Sequence, residues 1–424
     1  MKPKTTILKN GLTVISVPQK GATSTTAYVF CRVGSRYETK AINGASHFIE
    51  HLAFKGTKKR PTTEQISREL DRYGAYYNAY TGKDRTAYYI KIDASHAKDA
   101  VDLLFDMVFH PLYKPQEIER ERGVIIEEIN MYDDNPQMAI DSMLEAALFS
   151  GSSLGFDIAG PRSTIRKISR KELISYRDAY YIPSRTCVLI SGAVPKNIDH
   201  ILNQTFASIP KAKKDPSECV AFKEKAIAKK VHIRQKETEQ TQIAIGFYGL
   251  PYGHKDEPAA KLLSIILGGY MSSRLFTEIR EKRGLCYSIA SLHESFADTG
   301  MLSIYAGVDK KRIESAIETI MRELGRVKTN GVTEEELIRA KDHVRGKIAI
   351  AFEDSAFQAS WYGKQWLIGQ KLMSPEERMK ELDAVSRKDL KRIARGLLKE
   401  SSMTCAIIGP HADGTRLEKK FKME

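Results

Sequence analysis

Cysteine is scarce in this chain. Five residues in 424 (Cys31, Cys187, Cys219, Cys286 and Cys405) are scattered, odd in number and form no Cys-x-x-Cys pair. That excludes a disulfide framework and a Cys-type metal site, and it fits reduced thiols in a cytoplasmic protein. Long apolar runs are missing too. No stretch approaches the ~18 residues that a membrane-spanning helix needs, and the mean hydropathy is −0.37, so no membrane association is expected. Residues Met1 to Asn10 hold three Lys and no apolar segment, so no secretory leader is expected. With 28 Gly and 15 Pro, the chain is neither collagen-like nor low-complexity.

The residues that are present can fold. Hydrophobic residues make up 42% of the chain and aromatics 8%, enough for sizeable cores, and at about 150 residues per domain the length suggests two or three of them. The net charge of +14 invites a nucleic-acid reading, but the excess is spread out: 28 basic against 23 acidic residues in 1–210, 7 against 3 in 211–230, and 32 against 27 in the remainder. No basic tract interleaved with aromatics and no zinc-finger spacing occurs, so no nucleic-acid partner is expected.

The polar, charged segment 211–230 follows Ile209-Pro210 and precedes the strand-like Val231-His-Ile-Arg. It reads as a linker between a domain at 1–210 and another at 231–424. An internal repeat supports that division. Ile168-Ser-Arg-Lys-Glu-Leu173 matches Val385-Ser-Arg-Lys-Asp-Leu390 at an offset of 217, and at the same offset Gly192 falls on Gly409, each closing a β-rich run. Strands are expected at Thr25–Val33, Thr86–Ile92 and Gln242–Tyr248, and helices at 64–73, 97–110 and 311–328. Strand runs alternating with helices favour α+β domains whose sheets are covered on one face.

The segment Asn43-Gly-Ala-Ser-His47-Phe-Ile-Glu50-His51-Leu-Ala-Phe-Lys-Gly56 carries chemistry. With Asn43 as cap and Gly56 past the end, it reads as a helix. Positions i and i+4 then place His47 and His51 on one face, able to converge on a Zn²⁺ ion, with the Glu50 carboxylate close by. Zinc that acidifies a water beside a carboxylate base suits hydrolysis. Composition alone would produce His-x-x-Glu-His only about 0.02 times in such a chain. A third ligand is expected on the acidic helix 117–130, where Glu121, Ile125 and Glu128 share a stripe; spacing alone does not separate Glu127 from Glu128.

These residues resemble the M16 (pitrilysin-like) metallopeptidases, the inverzincins that include insulin-degrading enzyme and the mitochondrial processing peptidase. In that family a Glu ligand follows the motif after 76 intervening residues, which lands on Glu128. A further family Glu, seven residues earlier, lands on Glu121, implied to support the site. Leu8-Lys-Asn-Gly-Leu-Thr-Val14 and Gly34-Ser-Arg-Tyr-Glu38 look like the family's first hairpin region. Gly74-Ala-Tyr-Tyr-Asn78-Ala79-Tyr-Thr81 resembles its substrate-accepting strand. The run from Gly268 through Arg280 to Tyr287-Ser resembles its second-half signature, in which Arg280 and Tyr287 are implied to contact substrate.

The fold implied is two homologous α+β domains, each a mainly antiparallel sheet packed against helices (LuxS/MPP-like metallohydrolase fold). The activity implied is zinc-dependent endopeptidase action on short unfolded peptides or presequence-like segments, with one Zn²⁺ per chain held by His47, His51 and Glu128, and Glu50 as general base. Two domains where a complete chamber of this family has four imply a pair of chains. A homodimer is the simplest form, and a heterodimer with a homologue or a non-catalytic structural subunit is the alternative.

Overall fold

The computed structural model describes residues 3–411 and 413–423. Its first sheet contains β1 (Lys4–Ile7), β2 (Thr13–Pro18), β3 (Ser24–Cys31), β4 (Tyr76–Thr81), β5 (Thr86–Asp93) and β6 (Thr186–Gly192) in the order β1-β2-β6-β3-β5-β4. Its second contains β7 (Val231–Gln235), β8 (Gln240–Gly249), β9 (Cys286–Ser295), β10 (Gly300–Asp309) and β11 (Met403–Gly409) in the order β7-β11-β8-β10-β9. Only β2/β6 and β7/β11 pair in parallel; the other ladders are antiparallel. The expected α+β architecture of mainly antiparallel sheets on helices is what forms.

The helices of the first half are α1 (Ala45–Leu52), α2 (Thr63–Arg72), α3 (Ala97–Phe109), α4 (Pro115–Asp134), α5 (Pro136–Leu148), α6 (Arg162–Ile165), α7 (Arg170–Tyr180) and α8 (Ile198–Phe206). Those of the second are α9 (Glu257–Gly268), α10 (Ile313–Asn330), α11 (Glu334–Ala351), α12 (Ser355–Leu367), α13 (Pro375–Asp383), α14 (Arg387–Leu397) and α15 (Gly414–Glu418). The repeat runs through most of the list. Adding 217 to the bounds of α7 and β6 gives those of α14 and β11, and most other elements have a counterpart near the same offset, while β1 and α2 have no matching strand or α-helix among the described residues. The paired glycines share a cause: a Cβ on Gly192 would overlap the Ser24 carbonyl, and one on Gly409 the side chain of Thr241, 217 residues further on.

The compact units do not follow a single cut in the chain. One comprises residues 1–129, 156–220 and 347–375; the other comprises 130–155, 221–346 and 376–424. A boundary at 211–230 alone therefore does not separate them, although that segment is free of helix and strand. The chain crosses within α4, between Ile129 and Asn130, and within α11, between Gly346 and Lys347. As a result α5 belongs to the second unit and its counterpart α12 to the first.

This exchange corrects the expectation of sheets covered on one face. In the first unit, Ala27, Val29, Cys31, Val188 and Ile190 pack toward α1, α3 and α7. On the opposite face, Tyr28, Phe30, Cys187 and Leu189 pack against Ala359, Tyr362 and Leu367 of α12. Every position of β6 is buried as a result. Contact with α12 is close enough that a Cβ on Gly363 would overlap the Phe30 ring. In the second unit α5 fills the same role, with Leu144 and Leu148 against Ala244, Tyr248 and Ile408. Among the described residues no helix is long and apolar enough to cross a membrane.

Candidate metal centre

Helix α1 is short, and its hydrophobic side fixes it in place. Phe48, Ile49 and Leu52 are buried at 2% exposure or less, each contributing about 1.5–3 kcal/mol relative to exposure. With those three side chains directed inward, the i, i+4 pair lies on the adjoining face. The His47 and His51 rings are 4.6 Å apart, centroid to centroid, at an interplanar angle of 71°. Helix α4 supplies the opposing wall. Ile118, Glu121 and Ile125 form its buried stripe, which carries Glu128 to the histidines while Glu127 stands exposed. The choice that spacing left open thus has a geometric answer.

Glu128 Oε2 lies 3.7 Å from His47 Nε2 and 3.5 Å from His51 Nε2. Each of the three residues offers a ligand atom, all within 4.8 Å of one another, and no second such cluster occurs among the described residues. Zinc bonds of about 2.0–2.2 Å to nitrogen and oxygen give a tetrahedron with edges of roughly 3.3–3.6 Å. The 3.5 Å separation falls on that edge and the 3.7 Å one just beyond it, and both are long for direct hydrogen bonds. The other ring nitrogen of His51 is also engaged: Nδ1–H donates to Glu121 Oε2 at 3.1 Å. In the neutral ring this bond selects the tautomer that leaves the Nε2 lone pair facing Glu128 and His47. The Glu121 carboxylate is 2% exposed, and its Oε1 lies 2.8 Å from Lys55 Nζ.

The charges follow from burial and from the neighbouring groups. Burial pulls His47 down to about 4, reinforced by His51 beside it. Burial also works against a charged His51, but Glu121, Glu128 and Glu50 outweigh it and raise the ring to about 9. His51 beside it holds Glu128 below the usual carboxylate range. Glu121 is likewise held low, since His51 and Lys55 outweigh its burial. Glu50 moves the other way: burial raises it, against the pull of a hydrogen bond from Thr81 Oγ1 to its Oε2 at 2.6 Å.

Thr81 ends β4, the outermost strand of the first sheet. Asn78 and Ala79 lie on that strand, Asn78 exposed and Ala79 half-buried, and the Asn78 side chain accepts from the Ala79 N–H at 2.8 Å. In the second unit, Arg280 sits in the π-helical turn Phe276–Glu281, and Tyr287 lies on β9, the outermost strand of that sheet. The Arg280 guanidinium carbon is 5.5 Å from the Tyr287 ring centroid. Tyr287 is 71% exposed, so its ring is presented to solvent rather than packed in a core.

Two local expectations are corrected. Asn43 is not the cap of α1; Gly44 holds that position at φ +99°, and the Asn43 side chain donates instead to Glu38 Oε2 and the Asp157 carbonyl. Gly56 is not the helix C′ residue either. The helix ends at Leu52, and Gly56, at φ +109°, turns the chain against the Pro61 carbonyl. The sequence reading missed Glu38, which accepts from the first turn of α1, as well as Thr81 and Lys55 as partners of Glu50 and Glu121. Glu38 had a visible signal, since it closes the Gly34–Glu38 segment.

Comparison with known proteins places the chain. Residues 13–162 match a family model described as Insulinase (Peptidase family M16), and residues 167–344 match one described as Peptidase M16 inactive domain. An uncharacterised zinc protease of Bacillus subtilis is 35% identical over 403 residues, which is 95% of this chain and 97% of that protein. The chain belongs to the M16 peptidase family. A second relative, an uncharacterised zinc protease of Rickettsia felis, is 33% identical over 413 residues, 95% of this chain and 97% of its own. The M16 architecture is matched in solved structures as well. A protease from Helicobacter pylori superposes with a TM-score of 0.91 at 24% identity, covering 96% of this chain and 99% of that one. A peptidase M16 inactive domain from Pseudomonas fluorescens does so with 0.90 at 18% identity, covering 97% and 98%.

Proposed function

We propose that this M16 chain is a zinc-dependent endopeptidase acting on short unfolded peptides or presequence-like segments. The observation that carries the reading is the convergence of His47 Nε2, His51 Nε2 and Glu128 Oε2 next to the Glu50 carboxylate. The relatives named zinc proteases support it. His47, His51 and Glu128 hold the ion, and Glu121 orients His51 through Nδ1. When bound, zinc supplies Lewis acidity, acidifying water and polarising a carbonyl.

Glu50 Oε1, the oxygen not engaged by Thr81, takes the proton from the attacking water and delivers it to the leaving amine. Its burial favours a base strong enough for that exchange. The substrate adds as a strand along β4 at Asn78 and Ala79, where main-chain hydrogen bonds bind many sequences. Arg280 and Tyr287 hold the substrate backbone, with the Tyr287 hydroxyl donating to the scissile carbonyl oxygen. The working unit pairs two copies of the chain around the substrate, the zinc half of one facing the Arg280–Tyr287 half of the other.

Glu50→Gln tests the reading. The variant is expected to bind zinc at one ion per chain while losing cleavage of a fluorogenic peptide. Wild-type turnover by the variant rules out Glu50 as the base, and a zinc-loaded wild type that cleaves nothing in a mixed peptide library overturns the peptidase assignment. Sedimentation of the wild type reads the pairing.

A further inference from the structure

The segment Gly34–Glu38 contributes no metal ligand, yet its last side chain is buried against the helix that carries both histidines. Glu38 is 5% exposed. Its Oε2 accepts from the Gly44 N–H at 2.7 Å and from Asn43 Nδ2 at 2.9 Å, and its Oε1 accepts from the Ser46 N–H at 2.7 Å. A helix start leaves four N–H groups without partners inside the helix. Helix α1 has no side-chain cap of its own and no acidic residue in its first turn. An acceptor from six residues upstream of Gly44 takes that place.

The carboxylate is itself held firmly. A Cβ on Gly34 would overlap the Gly82 carbonyl, so the segment lies against that turn. Arg36, 2% exposed, approaches Asp84 Oδ1 at 3.3 Å. On the helix side, Gly44 takes φ +99°, where a Cβ would meet the Ala159 carbonyl. His47 follows directly on Ser46 in that first turn, so its backbone is fixed by the same anchors.

We propose that Glu38 is a positioning residue for the metal centre: by capping α1 from outside the helix it fixes the first turn, and with it the direction in which His47 presents Nε2. This rests on the metal reading above. An ordinary helix cap contributes stability alone; Glu38 differs because the turn it holds contains a ligand.

The test uses the full-length protein with Co²⁺ as the probe, reading affinity by chelator competition and the visible absorption spectrum. In Glu38→Gln an N–H₂ donor replaces one acceptor oxygen and faces a backbone N–H. This variant is expected to bind Co²⁺ about tenfold more weakly, with an altered band shape and native circular dichroism. Glu38→Asp, which keeps the charge but falls short by one methylene, is expected to weaken binding at least threefold. Ser386→Ala, which removes the cap of α14, is expected to lower Tm and leave both cobalt readings unchanged.

A folded Glu38→Gln with wild-type affinity and spectrum overturns the proposal. If that variant does not fold, Glu38→Asp decides on the same criterion. Equal weakening in Ser386→Ala also overturns it, because general destabilisation then explains the loss. A wild type that binds no Co²⁺ overturns the metal reading itself, a result distinct from failure of Glu38 alone.

Discussion

Helix α1 of the first unit and α9 of the second follow corresponding strands, β3 and β8, and lead to corresponding helix pairs, but their chemistry differs. At the repeat offset of 217, His47, Glu50 and His51 fall on Ser264, Leu267 and Gly268, and Glu128 falls on Arg345. Ser264 donates to the carbonyl of Lys261 within its own helix, and Arg345 pairs with Asp383. One copy thus aims three donors at a point, while the other satisfies its polar groups locally and buries Leu262, Leu263, Ile266 and Leu267. The same scaffold holds its shape with or without the ligands. The site is therefore a set of side chains placed on the fold rather than a requirement of it.

That contrast can be broken by experiment. The largest expected effect is on metal content: His51→Ala should lose zinc and activity together, while Ser264→Ala should leave zinc at one ion per chain. Elemental analysis of the purified proteins reads both, and zinc retained by His51→Ala removes that residue from the ligand set. Next, Tyr287→Phe should keep its zinc and lose about 10²-fold in kcat/KM on a fluorogenic peptide; unchanged kinetics would take Tyr287 out of the substrate contacts.

The exchanged helices offer a smaller pair. Gly363→Ala forces a methyl group into the Phe30 ring and should cost about 1–3 kcal/mol by denaturant unfolding. Ala146, on the exposed side of α5, serves as the control, and Ala146→Gly should cost only about 1 kcal/mol, from helix propensity. Equal costs would mean that Gly363 is no more tightly packed than an exposed helix position. The smallest effect concerns acid. Asp389 is held down to about 2, first by Ser386, whose hydroxyl and backbone N–H donate to it, then by Arg392. Its folded value lies below its unfolded one near 3.8. Its contribution is therefore complete above pH 4 and is lost as pH falls toward 2. Asp389→Asn should flatten that part of a stability–pH curve, and an unchanged slope would assign it to other carboxylates.

Much of the site was legible because its residues are chemically rare and regularly spaced. His47, Glu50 and His51 follow one helical turn, and Glu128 follows from the family's spacing once the motif is seen. The repeat was legible from two short matches because the duplication kept its register. The cap of α1 was not. Capping rules look within a few residues of the helix start, and Glu38 reaches in from further upstream to bond backbone N–H groups that leave no trace in side-chain identity. Coverage of both sheet faces had a signal that the one-face reading passed over: Ala27 to Cys31 is a nearly unbroken apolar run, the pattern of a strand buried on both sides. The identity of the covering helix had no local signal, because α12 lies more than 300 residues further along the chain.

The reciprocal placement of α5 and α12 bears on how such a chain can be handled. Each half of the repeat supplies one helix to the other half's unit, α5 to the second and α12 to the first. The same logic warns against cutting the gene at 211–230. Either fragment would expose the sheet face its missing helix should cover, Phe30 and Tyr28 in one and Ala244 and Tyr248 in the other. Such a fragment invites aggregation or re-pairing with its mate, so co-expression of the two fragments is the way to obtain either in folded form.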